Sequence, residues 1–124
     1  MFKIENKTIH LTRGDIALIE ISIKNDDETD YTFKDGDVLM LNVFKKKDCS
    51  DVVLTKKTEI TQPNTKATIE LTSDNTTIGE LINKPTTYWY EIVLNPDTAE
   101  QTIIGYDEEG EKEFILYPEA KEGE

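Results

Sequence analysis

Short runs in which apolar and polar residues alternate are the feature that most constrains this fold. Residues 17–23, 67–71 and 87–94 each place an apolar side chain at every second position. A period of two puts those side chains on one face of a half-buried strand. Thr, Ile and Val contribute 16, 14 and 5 residues, against 4 Ala, and β-branched residues favour strands over helices. The sequence therefore predicts an all-β chain.

The spacing of the runs predicts about eight short strands separated by turns. The remaining strands are predicted at 8–11, 38–44, 52–54, 101–104 and 114–117. Turn residues stand between them, and the only helical feature predicted is one short turn capped by Ser73 or Asp74. This pattern is typical of an antiparallel β-sandwich, with a small barrel as the alternative.

The negative charge of the chain is concentrated near its end. The 26 acidic and 14 basic residues give a formal charge of −12. Residues 107–124 hold eight acids and two lysines, so half of that charge lies in the last 18 residues. We therefore predict a β-sandwich domain over 1–117 and an acidic C-terminal tail over 118–124. A surface of this sign repels phosphate, which argues against nucleic acid or an anionic membrane as a partner.

The cellular location of the protein is predicted from three features: apolar runs, the first residues of the chain and the number of cysteines. A membrane-spanning helix needs roughly 18 consecutive apolar residues, and no run approaches that length. The first residues, MFKIENK, lack the apolar stretch of a secretory signal. Cys49 is the single cysteine, so an internal disulfide cannot form. We therefore expect a protein that is made, and kept or assembled, in a cytoplasm.

Catalytic chemistry is not predicted from the residue types present. His10 is the only histidine and lies in a strand-like run, where a structural or surface role is expected. Cys49 has acidic neighbours that disfavour its thiolate, and one Cys with one His cannot form a structural zinc site. We predict no catalytic residue, no metal ligand and no cofactor, and hence that the protein is not an enzyme.

Two acidic clusters leave a metal-binding alternative open. Residues 26–30 (DDETD) and 107–111 (DEEGE) could bind calcium through loop oxygens, although neither has EF-hand spacing. Solvated acidic loops are the other interpretation. A glycosidase would need two carboxylates facing a cleft, which a small sandwich with short loops is not expected to provide.

The triplet Tyr88-Trp89-Tyr90 is the most prominent aromatic cluster. Alternation sends Tyr88 and Tyr90 to one face of the strand and Trp89 to the other, together with Glu91. Tyr90 shares its face with apolar residues and is predicted in the core. Trp89 and Glu91 are therefore the predicted contact residues, either for a protein interface or for a sugar that stacks on the indole ring.

Six motifs follow one another in a fixed order along the chain. They are TIHLTRGD at 8–15, DVLMLNVFKK at 37–46, IELTSDNT at 69–76, YWYEIVL at 88–94, QTIIG at 101–105 and FIL at 114–116. Together they resemble the N-terminal domain of phage baseplate upper protein over about residues 8–117. Each motif alone is ordinary strand-and-turn chemistry, and the resemblance rests on their order.

The resemblance implies an immunoglobulin-like antiparallel β-sandwich. It implies a non-enzymatic phage or prophage structural protein, a small tail or baseplate assembly module that acts through protein–protein contacts. The implied partners are other phage tail or baseplate proteins and further copies of the chain in a homo-oligomer. The implied location is the host cytoplasm during assembly and then the virion tail. A carbohydrate- or receptor-binding β-sandwich module is the alternative function.

Overall fold

Strands make up most of the secondary structure of the protein, as the alternation predicts. The computed structural model describes residues 1–119. The last residues of the predicted acidic tail, 120–124, lie outside the described residues. The elements are β1 (Phe2–Glu5), β2 (Thr8–Thr12), β3 (Ala17–Ile21), β4 (Val38–Phe44), β5 (Val52–Glu59), β6 (Ala67–Leu71), α1 (Ser73–Thr76), β7 (Thr86–Leu94), β8 (Gln101–Ile104) and β9 (Lys112–Tyr117). The prediction of an all-β chain is confirmed.

The strands form one large mixed sheet and one small antiparallel sheet. The large sheet has the order β1-β2-β9-β7-β4-β5, and β8 pairs with β7 as a seventh strand. The small sheet consists of β3 and β6. All pairings are antiparallel except β2 with β9, where Ile9 lies opposite Phe114 in parallel register. The prediction of a wholly antiparallel architecture is therefore wrong at this one pairing, which joins two distant parts of the chain.

Both sheets contribute to a single hydrophobic core. Every second residue of β3 and β6 is buried, and Ile19 lies opposite Ile69 in the centre of the small sheet. The large sheet faces them with buried residues of β2, β4, β7 and β9. Tyr88 and Tyr90 are 8% and 3% exposed and belong to this core, so their predicted placement is confirmed. Burying one large aliphatic or aromatic side chain contributes about 1.5–3 kcal/mol.

Two strands depart from the prediction, which has no strand at β1 and only three residues at β5. β1 has no buried residue, and it forms by pairing with β2 rather than by its own apolar pattern. β5 runs for eight residues instead of the predicted three, and its exposed side chains are those of an edge strand. The described chain therefore has nine strands where about eight are predicted.

The short helix begins one residue earlier than predicted. Its N-cap is Thr72, whose hydroxyl accepts a hydrogen bond from the backbone N–H of Asn75. The side chain of Asn75 accepts in return from the backbone N–H of Thr72, which completes a capping box. The assignment of the cap to Ser73 or Asp74 is therefore wrong, because these two residues already lie within the helical turn.

Two buried charged residues fix the loops between the strands. Arg13 donates to the carbonyls of Ile78 and Gly79 and to the carboxylate of Glu119. Asp37 accepts hydrogen bonds from the backbone N–H of Lys34, the hydroxyl of Tyr31 and the side-chain amide of Asn95. Both side chains thus connect segments that are far apart in sequence, and each buried charge is satisfied by several polar partners.

Candidate functional site

The predicted contact residues lie on the face of the large sheet that points away from the shared core, here called the outer face. Trp89 lies opposite Phe44 of β4 and Glu113 of β9, and it is half-buried. Phe44 is only 5% exposed although it lies outside the core cluster. The structure therefore places Trp89 and Glu91 on one surface, with an aromatic neighbour beside the indole ring.

A row of hydrogen-bonded polar side chains crosses the outer face next to Trp89. The Asn42 side-chain amide donates to Glu91 Oε2 at 3.1 Å. The Thr55 hydroxyl donates to Asn42 Oδ1 at 2.8 Å. The row therefore spans β7, β4 and β5, whose neighbouring residues are held in register by the sheet. It presents a carboxylate, an amide and a hydroxyl beside an aromatic ring.

The loop between β4 and β5 borders this surface. Lys47 Nζ lies 3.2 Å from Glu111 Oε1. A backbone hydrogen bond, followed by this contact with Lys47, holds the pKa of Glu111 below its ordinary value. Cys49 stands at the tip of the loop. Burial, followed by the negative charges of Glu91, Asp48 and Glu111, raises the pKa of its thiol. This direction agrees with the expectation that acidic neighbours disfavour the thiolate.

One carboxylate in each of the two acidic clusters accepts hydrogen bonds from residues that are close to it in the sequence. Asp27 accepts hydrogen bonds from the hydroxyl and the backbone N–H of Thr29, and these bonds lower the pKa of Asp27. Asp107 accepts from Lys112 Nζ at 2.6 Å and from the backbone N–H of Glu109, and the Lys112 bond is the main reason why its pKa is lowered. These bonds shape tight polar turns.

The single histidine packs on the outer face at the other end of the sheet. His10 Nδ1 lies 2.8 Å from the Tyr117 hydroxyl, and the two rings stand 5.8 Å apart between centroids. His10 Nε2 is 3.8 Å from Glu5. The contacts join β2 to β9 and to β1, which fits the structural role expected for this residue.

Sequence reasoning missed a second apolar surface at one edge of the molecule. Ile23, Ile103 and Ile104 are partly buried against the core. The signal in the sequence is that Ile103 and Ile104 are adjacent, so a four-residue strand presents isoleucine on both faces. Nothing local indicates that the apolar residue beyond the end of β3, Ile23, meets them.

Over residues 1–119, no helix combines the length and apolar character needed to cross a membrane. The same residues contain no group of three or more His, Cys, Asp or Glu side chains arranged to hold a metal ion. No protein-family model, curated protein or solved structure matches the chain.

Proposed function

We propose that this protein is a non-enzymatic structural protein of a phage or prophage, a small tail or baseplate module that acts through protein–protein contacts. The observation that carries the proposal is that the residues behind the resemblance hold strands and corners in place. Asp37 joins the start of β4 to neighbouring loops through three hydrogen bonds. The Thr76 hydroxyl donates to the carbonyl of Asp15 at 2.7 Å and so joins two of the motifs.

The close packing around two further motif residues supports the same role. The Tyr90 hydroxyl donates to the carbonyl of Lys7 at 2.6 Å, and burial raises the pKa of Tyr90 to about 12. A Cβ atom at Gly105 would lie 2.8 Å from the Thr102 methyl group, so any larger residue would force the Thr102 side chain to shift. Both residues act on the packing of the strands, as expected of an assembly module.

We propose that the two sheets form an immunoglobulin-like sandwich. In that fold, one sheet contains the paired strands B and E, and the other contains C, F and G. The antiparallel pair β3–β6 would correspond to B and E. The order β9-β7-β4 would correspond to G, F and C. The partners that we propose are other tail or baseplate proteins and further copies of this chain, assembled in the host cytoplasm and retained in the virion.

The outer face around Trp89 and Glu91 is the contact surface that we assign to this assembly. Half-buried aromatic residues are favoured at protein interfaces because they bury a large area at a small cost in side-chain entropy. Glu91 is held in place by Asn42, so the carboxylate is already oriented before a partner binds. A preoriented side chain loses less conformational entropy on association.

Co-expression with the products of the neighbouring genes tests the proposal. We expect a stable complex by affinity capture and light scattering, and rings or tail-like particles by electron microscopy. Trp89→Ala should weaken the complex by about tenfold, whereas Tyr106→Ala, which removes a 77% exposed aromatic residue from a loop, should leave it unchanged. A strict monomer that captures no tail protein would contradict the proposal.

A carbohydrate-binding module is the second candidate, and one specific observation favours it. Trp89 lies beside the row formed by Glu91, Asn42 and Thr55, which combines a stacking surface with hydrogen-bonding groups. Screening the protein on a glycan array tests this function. Binding that Trp89→Ala abolishes and Tyr106→Ala preserves would favour it, and an array without signal would exclude it.

A further inference from the structure

A groove runs between the edge of the small sheet and the edge of the large sheet, and neither proposed function uses it. One part, about 390 Å³, is lined by residues that include Tyr31 and Leu94. A second part, about 400 Å³, is lined by residues that include Ile21 and Ile104. The two parts share Ile23, Lys24 and Ile103. We call this continuous surface the β3–β8 groove.

Both strands that border the groove have one unpaired edge within residues 1–119. β3 pairs with β6 only, and β8 pairs with β7 only. β8 and β9 pair with the same edge of β7: β9 lies along residues 86–90 of β7, and β8 lies along residues 92–94. An unpaired strand edge presents backbone N–H and C=O groups that can bind another extended chain.

The floor of the groove is apolar and partly accessible. Ile21 and Leu94 are buried at its base, each 4% exposed. Ile23, Tyr31 and Ile103 pack against the core while remaining partly exposed. Contact with an incoming apolar side chain would remove the remaining exposed area of these residues from water. Removal of apolar area from water favours binding.

One end of the groove is acidic, although its charged lining residues balance, with Glu20 and Asp26 against Lys7 and Lys24. Asp26 belongs to the loop 26–30, which carries four acids, and Lys24 forms an ion pair with one of them, Asp30. Lys7, the other basic residue of the rim, lies 3.8 Å from Asp107. The excess of negative charge in the loop 26–30 favours a basic partner at this end of the groove. A second copy of this chain would bring a further charge of −12 and fits this end less well, so we assign the homo-oligomer proposed above to the outer face around Trp89.

We propose that the β3–β8 groove binds an extended segment of another protein, which adds as a β-strand along one of the two unpaired edges. Alternation along a strand predicts that every second residue of this segment is apolar and faces the floor. The acidic loop 26–30 predicts a basic residue at the end of the segment that lies beside it. The inference rests on the proposed function and adds to it a second contact surface, together with the chemistry of the partner that this surface would bind.

A displayed peptide library provides the direct test. The probe is a library of ten-residue peptides in which alternate positions are restricted to Val, Ile, Leu, Phe and Tyr and the others are random. Selection on the full chain should enrich peptides with Lys or Arg near one end. Amide hydrogen exchange of the wild-type protein with an enriched peptide should slow within residues 17–24 or 101–104 and remain unchanged in Val52–Glu59.

Two substitutions localise the binding. Ile103→Glu places a charge on the apolar floor and should weaken the selected peptides by about tenfold or more. Val52→Glu places the same charge on the exposed edge strand β5 and should leave their affinity unchanged. The exchange measurement on wild-type protein keeps the test decisive if Ile103→Glu does not fold. Failure to enrich any peptide, or protection confined to β5, would overturn the proposal.

The same variants separate this inference from the proposed function. If a complex with neighbouring gene products forms and survives Ile103→Glu, the groove is not its binding site and the inference is wrong, while the proposed function stands. If no such complex forms, the proposed function fails, and the peptide selection still decides whether the groove accepts a strand. Sedimentation that shows dimers lost on Ile103→Glu would instead identify a second copy as the occupant and contradict a foreign partner.

Discussion

The two sides on which the sheets approach each other are built differently. On one side, β5 of the large sheet contacts β6 of the small sheet. Here Val53 forms a bulge, and the lysine pair of β5 is engaged: Lys56 bonds to Asn75 and Lys57 lies 3.4 Å from Asp97. On the other side, β3 and β8 leave a groove between them. β8 carries no charged residue.

The comparison shows which edge is protected from pairing. Bulges and lysines are the common means by which proteins prevent an edge strand from adding further strands. β5 has both, whereas β8 has a bulge at Ile103 but no charged residue, and it presents isoleucines. The β5–β6 side is therefore expected to remain free of partners, and the β3–β8 side is the one suited to accept a strand. The four predictions below test this difference, in order of decreasing effect.

Asp37 stands behind the β3–β8 groove, and its removal should cause the largest loss of stability. Asp37→Ala deletes a buried carboxylate, 7% exposed, that accepts three hydrogen bonds. We expect a loss of about 3 kcal/mol in the free energy of unfolding, measured by urea denaturation. Asp97→Ala, on the β5–β6 side, removes an exposed ion pair and should cost less than about 0.5 kcal/mol. Equal losses would refute the contrast.

The pH dependence of stability should also depend on Asp37. Burial opposes its ionisation, but hydrogen bonds from the Lys34 backbone, Tyr31 and Asn95 hold its pKa below the ordinary value. A lowered pKa in the folded state stabilises the protein above the unfolded pKa of about 3.9, and this contribution is lost as the pH falls through the folded pKa.

Comparison with Asp37→Asn isolates this contribution, because the other carboxylates are common to both proteins. The wild-type protein should be more stable than the variant at neutral pH. The difference should shrink in acid, where the wild-type carboxyl becomes neutral as well. Urea titrations at several pH values measure it, and a difference that grows toward low pH would contradict the assigned direction.

Tyr31 connects Asp37 to the wall of the groove and should have an intermediate effect. Its hydroxyl donates to Asp37 Oδ2 at 2.7 Å, and burial together with Asp37 raises the pKa of Tyr31 to about 12. Tyr31→Phe should cost about 1.5 kcal/mol and keep the edge-on contact with Phe33 at 5.4 Å. An absorbance titration of this variant should show one tyrosine fewer with a raised pKa than the wild-type protein. Tyr106→Phe, at an exposed position, is the control and should change neither the free energy of unfolding nor the number of tyrosines with a raised pKa.

Lys57 on β5 should have the smallest effect on stability. Its ion pair with Asp97 is exposed at both ends, so Lys57→Ala should change the free energy of unfolding by only about 0.3 kcal/mol. Removal of a lysine from an edge strand should instead raise self-association at high protein concentration, measured by light scattering. If association stays unchanged, the bulge alone protects this edge.

The strands that could be predicted are those with one face on the core. In β6, and in β7 as far as Ile92, the buried positions follow the alternation, and Ile69 and Tyr90 lie where the pattern puts them. β1 and most of β5 could not be predicted, because an edge strand has little contact with the core and needs no apolar pattern. The parallel pairing of β2 with β9 could not be predicted either, since it depends on how distant segments meet.

The candidate surfaces were predictable to different degrees. Trp89 and Glu91 were identified because alternation alone sends them away from the core. The polar row beside them could not be predicted, because it depends on the register of β4 with β5 and β7. That register places Asn42 between Thr55 and Glu91. The β3–β8 groove could not be predicted, because it depends on how the two sheets lie relative to each other. The burial of Arg13 could not be predicted either, because one of its acceptors, the Ile78 carbonyl, is 65 residues away in the sequence. Such features arise from tertiary contacts.

The parallel pairing of β2 with β9 has a mechanical consequence. In a parallel pair, the N-terminal end of one strand and the C-terminal end of the other point in opposite directions. Tension applied to the two ends of the chain would first peel β1 from β2, breaking its hydrogen bonds one after another. It would then pull β2 and β9 past each other along their length, loading all the bonds from Ile9 to Thr12 together. The chain is therefore expected to resist stretching at this pair.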